Sequence, residues 1–159
     1  MQGYKTIELD GIHAVIIHKG KVLILKRINI PLFIINPGKW SLVSGARKKG
    51  ESHLDAAYRE IKEETGIEPN ELTLLKGNIM MYARDAKKAI RWKNRLFIFC
   101  SKKGFAKLNI ENRSSRWITL DEFAQNPDIS EIMEGVPGIL KLVKASAKNC
   151  KRSSCIVLN

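Results

Sequence analysis

The 159-residue chain is poor in cysteine. Its three cysteines, Cys100, Cys150 and Cys155, are odd in number and show no Cys-x-x-Cys pair. Neither a disulfide framework nor a zinc knuckle is therefore indicated. We expect instead a buried Cys100 and two thiols in the C-terminal tail.

Long apolar runs are also missing. No segment approaches the roughly 20 apolar residues that a membrane-spanning helix needs, and the longest, Ile30 to Ile35, is interrupted by Pro31. The N-terminus lacks the charged-then-apolar order of a secretory signal, and Gln2 stands where N-myristoylation requires glycine. We expect no membrane partner and a cytoplasmic location.

Acidic residues are scarce, 16 against 28 lysines and arginines, which gives a formal net charge of +12. A basic surface attracts phosphates or nucleic acid over long distances, although a solvated lysine-rich surface explains the same count. The length and a hydrophobic content of 44% predict one globular domain over 1–147. A basic tail follows over 148–159, and disorder is one alternative for it.

Apolar periodicity predicts several strands and a few helices. The segment 29–39 carries two prolines and the apolar residues 32–35, which favours a loop that caps a pocket or forms a homodimer interface. Strands with one helix in the middle and one at the end predict an α/β (α+β) sandwich, with a mixed sheet between the two helices. We predict strands at 11–18, 21–26, 40–43, 72–83, 93–101 and 115–118, an edge segment at 104–112, and helices at 52–65, at 120–124 and from near Pro137.

The helix over 52–65 has the clearest ends and an unusual acidic face. Ser52 is a good N-cap, and Gly66 suits the left-handed position that closes a helix. Glu60, Glu63 and Glu64 stand at i, i+3 and i+4, where like charges destabilise a helix by a few tenths of a kcal/mol. One interpretation is a divalent cation bound among them, and the other is a solvated helix face whose charge neighbouring basic residues balance.

The neighbouring residues complete a long motif with fixed spacings. The order is Gly, five residues, Glu, seven residues, Arg-Glu, an aliphatic, any residue, Glu-Glu, any residue, Gly and an aliphatic. With this motif the chain resembles the Nudix (MutT-like) hydrolases, and Trp40-Ser41 and Arg116-Trp117 are also similar to that family. The motif residues are Gly45, Glu51, Arg59, Glu60, Ile61, Glu63, Glu64, Gly66 and Ile67.

The resemblance implies a Nudix-like α/β/α sandwich and a hydrolase that uses Mg²⁺ or Mn²⁺. It would cleave the pyrophosphate linkage of a nucleoside triphosphate, ADP-ribose or a dinucleoside polyphosphate. An RNA 5′-end pyrophosphohydrolase is the alternative that the positive charge suggests. A nucleotide-sensing domain without catalysis is an alternative of another class, although no glutamate of the motif is lost.

The resemblance also implies roles for single residues. Arg59 would hold the glutamates by ion pairing, Gly45 would permit a tight turn, and Gly66 would end the helix. Where the family commonly has a glycine, this chain has Ser44, so a left-handed backbone there would carry a cost. The implied metal ligands are Glu60, Glu63 and Glu64, with Glu51 and the Ser44 carbonyl in addition.

Residues outside the motif supply the remaining candidates. Glu111, six residues before Trp117, resembles a general base that some family members carry in that region. Tyr82, Arg27 and Phe33 are candidates for substrate binding, with a structural role for Tyr82 and Phe33 as the alternative.

Overall fold

The structure is a computed structural model that describes residue 3 and residues 5–30 and 35–153. Phe33, with the rest of 31–34, and the last residues of the predicted tail, 154–159, lie outside the described residues. Within that part of the chain seven strands form one sheet: β1 (Lys5–His18), β2 (Lys21–Arg27), β3 (Trp40–Ser41), β4 (Val43–Ala46), β5 (Leu72–Asp85), β6 (Ile90–Ser101) and β7 (Asn112–Ile118). The same ranges contain four helices: α1 (His53–Thr65), α2 (Leu120–Gln125), α3 (Pro127–Ile132) and α4 (Val136–Ser153).

The sheet is mixed, as the sequence predicts. Its central order is β3-β2-β1-β6-β5, with β4 also paired to β1 and β7 to β2. The β1–β6 pair is parallel and the other pairs are antiparallel. The predicted turn between β1 and β2 is confirmed, because Lys19 and Gly20 both have left-handed backbones, with φ values of 48° and 78°. Such a two-residue turn matches the right-handed twist of the strands.

Helices cover both faces of the sheet. On one face, Ile61 of α1 packs in a cluster with Ile12, Ile16 and Phe99. On the other face, α4 packs against β1, β5 and β6, and α3 packs against β3 and β5, through a second cluster that includes Val143. The predicted α/β/α sandwich is therefore confirmed. None of the helices in the described ranges is long and apolar enough to span a membrane.

Helix α1 begins and ends where the sequence predicts. The Ser52 hydroxyl accepts a hydrogen bond from the Asp55 backbone N–H at 3.0 Å. At the other end Gly66 has φ 69°, and its N–H donates to the Lys62 carbonyl at 2.9 Å. These caps set the two ends of the helix, and the packing of Ile61 against the sheet sets the side on which the glutamates lie.

The C-terminal third differs from the prediction in two ways. A helix that the sequence pattern does not predict, α3, starts after Asn126, whose side chain accepts from the backbone N–H groups of Asp128 and Ile129. Proline is well suited to the first helical position. Strand β7 also begins at Asn112, within the segment predicted as a separate edge element.

The cysteine prediction is correct for Cys100, which is buried, and wrong for Cys150, which is not a thiol in a tail. Helix α4 continues to Ser153, past the predicted start of the tail, and Cys150 is buried on it. Cys150 forms a disulfide with Cys100 of β6, 50 residues earlier in the sequence. The two residues meet because α4 packs back on the sheet, which spacing along the chain does not reveal.

Candidate active site

The acidic face of α1 lies against strand β4. Glu64 is only 1% exposed, and its carboxylate accepts from the Ser44 backbone N–H at 3.1 Å and from Asn112 Nδ2 at 3.5 Å. Burial raises the pKa of Glu64 to about 8, and the nearby charge of Glu60 adds to this rise, while Arg27 opposes it. Glu64 is therefore a buried carboxyl group whose surroundings disfavour its ionised form.

Glu60 lies one helical turn earlier, beside Gly45. A Cβ atom added to Gly45 would overlap the Glu60 carboxylate. Gly45 lies inside β4 and does not have a left-handed backbone, so the predicted tight turn at this residue is wrong. The site needs glycine here because only glycine leaves room for the carboxylate. Ser44 also lacks a positive φ, and its replacement of a glycine therefore carries no backbone strain.

Arg59 connects three other carboxylates of the motif. Its Nε and Nη2 donate to the two oxygens of Glu51 at 2.6 and 3.0 Å. Its Nη1 donates to Glu60 at 2.7 Å and to Glu63 at 3.2 Å, and Nη2 also donates to the Ala46 carbonyl at 2.9 Å. These contacts lower the pKa of Glu51 to about 2. The planar guanidinium thus uses several of its five donors to fix the helix to the loop before it.

A second ion-pair group holds that loop from the sheet side. Asp10, near the middle of β1, contacts Arg47 at 2.7 Å and His53 at 2.6 Å. Arg47 also donates to the Glu51 carbonyl at 2.8 Å. The loop that carries Glu51 is therefore anchored to both β1 and α1.

The donor set fits a hard divalent cation in part. Carboxylate oxygens are the ligands that Mg²⁺ and Mn²⁺ prefer. Glu64 contacts the backbone N–H of Ser44 and Glu60 lies beside Gly45, and a cation bound there would stabilise the ionised form of Glu64. Among the described residues, neither this site nor any other brings three acidic, histidine or cysteine side chains close enough together to hold a metal ion by themselves. Glu51 and Glu63 contact Arg59 instead.

Two further predicted residues lie in the open cleft in front of α1. Arg27, at the end of β2, places Nη1 3.4 Å from the Ser44 hydroxyl. Glu111 is exposed and immediately precedes β7. Burial is the main cause of the raised pKa of Glu60, and the charges of Glu63 and Glu111 add to the rise. Arg47 and Lys48 line the same cleft. The structure therefore brings Arg27 and Glu111 together with the acidic helix.

Tyr82 has a different environment. The guanidinium of Arg91 lies 3.7 Å from the centre of its ring and is held there by two hydrogen bonds of 2.8 Å to Glu134. Tyr82 lines neither the cleft nor the cavity next to it. One face of its ring is thus already occupied by a protein cation.

A more enclosed cavity adjoins the cleft, and sequence reasoning missed most of its polar residues. Its lining includes Arg27, His13, Asn36, Asn94 and Trp92. His13, Asn36 and Asn94 are not among the candidates that the motif and its neighbours supply. The available signal was a lone polar residue inside an apolar strand, since such residues are rarely buried without a partner.

Comparison with known proteins agrees with this geometry. The family model of the NUDIX domain matches residues 10–136. Bis(5'-nucleosyl)-tetraphosphatase [asymmetrical] of Mus musculus is 31% identical over 98 residues, which cover 58% of this chain and 64% of the mouse protein. RNA pyrophosphohydrolase of Pelagibacter ubique (strain HTCC1062) is 39% identical over 64 residues, covering 40% of this chain and 37% of that protein.

The fold is also similar to solved structures. The Ap4A hydrolase of C. elegans, in a binary complex, aligns with a TM-score of 0.68 and 20% identity, covering 89% of this chain and 98% of that one. At this identity the likeness concerns the fold. The chain spans less than two thirds of the length of the mouse relative.

Proposed function

Since this chain belongs to the NUDIX domain family, we propose that it hydrolyses the pyrophosphate linkage of a nucleoside diphosphate derivative with the help of Mg²⁺ or Mn²⁺. The observation that carries the proposal is the arrangement at the Ser44–Gly45 peptide. Glu64 accepts from the Ser44 N–H at 3.1 Å, the Glu60 carboxylate lies beside Gly45, and Arg27 Nη1 lies 3.4 Å from the Ser44 hydroxyl. A pyrophosphate between them would meet both a metal site and a protein cation.

Each protein group has a task in this reaction. Arg27 binds a phosphate oxygen, because a guanidinium pairs well with phosphate. Arg59 fixes the helix and loop that present Glu60 and Glu51. When bound, Mg²⁺ or Mn²⁺ supplies the positive charge that neutralises phosphate oxygens and activates water for attack on phosphorus.

We assign the general base to Glu111. Its exposed carboxylate lies in the same cleft as Glu60 and Glu63, within reach of solvent. A carboxylate in this position can take the proton of the attacking water while the bond between phosphorus and the leaving phosphate oxygen breaks. Glu111→Gln should then lower kcat more than it raises KM.

The substrates we favour are small nucleotides: nucleoside triphosphates, ADP-ribose and dinucleoside polyphosphates. The similarity to a bis(5'-nucleosyl)-tetraphosphatase supports this class. The RNA 5′ end is the second candidate, supported by the similarity to an RNA pyrophosphohydrolase and by Arg47 and Lys48 in the cleft. Basic side chains there would follow a phosphate backbone, so RNA binding should weaken as salt rises.

A panel of substrates tests the proposal. Purified protein is incubated with Mg²⁺ or Mn²⁺ and with each of the four substrate types, including triphosphorylated RNA, and phosphate-containing products are identified. Glu64→Gln should abolish turnover, whereas Glu68→Gln, an exposed glutamate just beyond the motif, should not. If the protein binds nucleotides but releases no product from any of the substrates, the proposal of hydrolysis is wrong and a nucleotide-sensing domain is the better interpretation.

Two further parts of the proposal concern the cell and the assembly. We retain the cytoplasmic location, since nucleoside polyphosphates are made and consumed there, and microscopy of a fluorescent fusion tests it. We also retain a homodimer, because Ile30 and Ile35, next to the apolar loop, are 44% and 37% exposed. Analytical ultracentrifugation tests the dimer, and a single monomeric species at high protein concentration would exclude it.

A further inference from the structure

The cavity beside the cleft collects the unpaired polar atoms of the interior. In the ranges that the structure describes, four buried side-chain nitrogen or oxygen atoms lack a hydrogen-bond partner. Three of them, Arg27 Nε, Asn36 Oδ1 and Asn94 Oδ1, belong to residues that line this one cavity. Because leaving such atoms unpaired is costly, their concentration here indicates that something outside the chain completes their hydrogen bonds.

Asn94 is held in one orientation by its neighbours. Its Nδ2 lies 2.6 Å from Nδ1 of His13, a ring that is only 2% exposed. Burial lowers the pKa of His13 to about 3, so the ring is neutral and Nδ1 can accept from the amide. Gly11 pairs with Asn94 across β1 and β6, and a Cβ there would come within 2.7 Å of Asn94 Oδ1. Glycine leaves room for the carboxamide, and Oδ1 remains as an acceptor.

Asn36 presents a second acceptor. Its backbone N–H donates to Asp85 Oδ2 at 3.0 Å and its Nδ2 donates to the Arg84 carbonyl at 3.1 Å. Both nitrogens of Asn36 therefore donate a hydrogen bond, and its Oδ1 is the atom without a partner. Trp92, which is 7% exposed, adds an apolar surface to the cavity lining.

The size and position of the cavity agree with one part of a nucleotide. Its volume is about 110 Å³, and a water requires about 10–15 Å³, so it accommodates roughly 7 to 11 heavy atoms, as many as a heterocyclic base has. Arg27 lines both the cavity and the cleft of the acidic helix. A base in the cavity would therefore leave its phosphates beside Arg27, Glu60 and Glu64.

We propose that this cavity binds the base of the nucleotide and that Asn94 is the specificity-determining residue, accepting a hydrogen bond from an amino group of the base. His13 is the positioning residue that orients the Asn94 carboxamide. The inference rests on the proposed function and deepens it by naming the part of the substrate that the site selects. Ordered water in place of a base is the alternative, and it predicts no discrimination between bases.

Matched nucleotide pairs test the inference. ATP is compared with purine riboside triphosphate, which lacks the 6-amino group, and GTP with ITP, which lacks the 2-amino group. The unaltered protein should prefer the amino-bearing member of at least one pair by about 10- to 100-fold in kcat/KM, because the analogue leaves a buried acceptor unpaired. Equal kcat/KM values within both pairs, or a preference for the analogues, would overturn the inference.

Two variants assign the preference to Asn94. Asn94→Leu keeps a similar volume but removes the acceptor, and the preference should fall to near unity while the analogue is still hydrolysed. Asn70→Leu is the matched control, because Asn70 is exposed and does not line the cavity, and this variant should keep the preference. His13→Leu should reduce the same ratio, a readout that a purely structural role would leave unchanged. A full preference in a folded Asn94→Leu protein would contradict the assignment.

A binding measurement protects the test against a variant that does not fold. Calorimetric titration of Glu64→Gln with the same nucleotide pairs reports selectivity with the cavity intact and turnover blocked. Hydrolysis without base preference would refute this inference and leave the proposed function standing. Base-selective binding without hydrolysis in the unaltered protein would refute the proposed function and leave this inference about the cavity standing.

Discussion

Replacement of Gly45 by alanine adds one methyl group where β4 meets the Glu60 carboxylate. The backbone of Gly45 is not left-handed, so alanine itself is accommodated by the strand. The added Cβ would overlap the carboxylate, which must move to make room. A displacement of about 1 Å at a catalytic group costs on the order of 100-fold in rate. We therefore expect kcat/KM to fall by about that factor while the strand is retained.

Gly50, in the loop that follows β4, provides the matched control. Its φ is +80°, and nothing lies within 4 Å of an added Cβ. Alanine at this position is therefore strained but does not collide, and the left-handed backbone costs about 1–2 kcal/mol of stability. The two variants separate steric interference at Glu60 from backbone strain, since Gly45→Ala should lose activity and Gly50→Ala should lose stability.

The assay is kcat/KM on the best substrate with saturating Mg²⁺, together with the free energy of unfolding in urea. Activity near that of the unaltered protein for Gly45→Ala would refute the reasoning. Equal losses of activity in both variants would also refute it, because the motif glycine would then act through its backbone rather than through space for Glu60.

Three further predictions concern stability. Glu134→Gln breaks the ion pair with Arg91 that lowers the pKa of Glu134, and it should lower the free energy of unfolding by about 0.5–1 kcal/mol near pH 7. This loss should shrink as the pH falls below the ordinary carboxyl pKa of 4.5, because the unaltered Glu134 is then protonated as well. Urea unfolding near pH 7 and in acid measures it, and an equal loss at both pH values would contradict the prediction. Cys150→Ser removes a disulfide that joins residues 50 apart, and loop-closure entropy predicts a loss of stability of about 4 kcal/mol. A reductant should lower the stability of the unaltered protein to the same level. A stability that does not respond to reductant would show that Cys100 and Cys150 are not joined. Gly138→Ala, at an uncrowded position in the first turn of α4, should raise stability by about 0.5–1 kcal/mol, and a lower melting temperature would be the opposite result.

Local geometry is what the sequence predicts well. The ends of α1 follow from Ser52 and Gly66, because capping depends on residues within one turn of each other. The shared face of Glu60 and Glu64 follows from their spacing of four. The family resemblance rests on the same short-range pattern, and the family and the sandwich fold are confirmed.

Contacts between distant segments are what the sequence does not reveal. His13 and Asn94 are 81 positions apart and meet only because β1 and β6 pair in parallel. Cys100 and Cys150 likewise meet only through the packing of α4 on the sheet. The reason for glycine at position 45 is also tertiary, since the crowding group comes from the neighbouring helix.

The most direct test of the central claim compares metal binding and turnover in the same samples. Glu64 is buried next to Ser44, and its pKa is raised, so glutamine should replace it without loss of folding in the absence of metal. Electron paramagnetic resonance counts the Mn²⁺ bound by the unaltered protein and by Glu64→Gln, while product release is followed in parallel. We predict that Glu64→Gln, with an unchanged unfolding curve, loses both bound Mn²⁺ and hydrolysis. Hydrolysis at the unaltered rate by a folded Glu64→Gln protein would contradict the account.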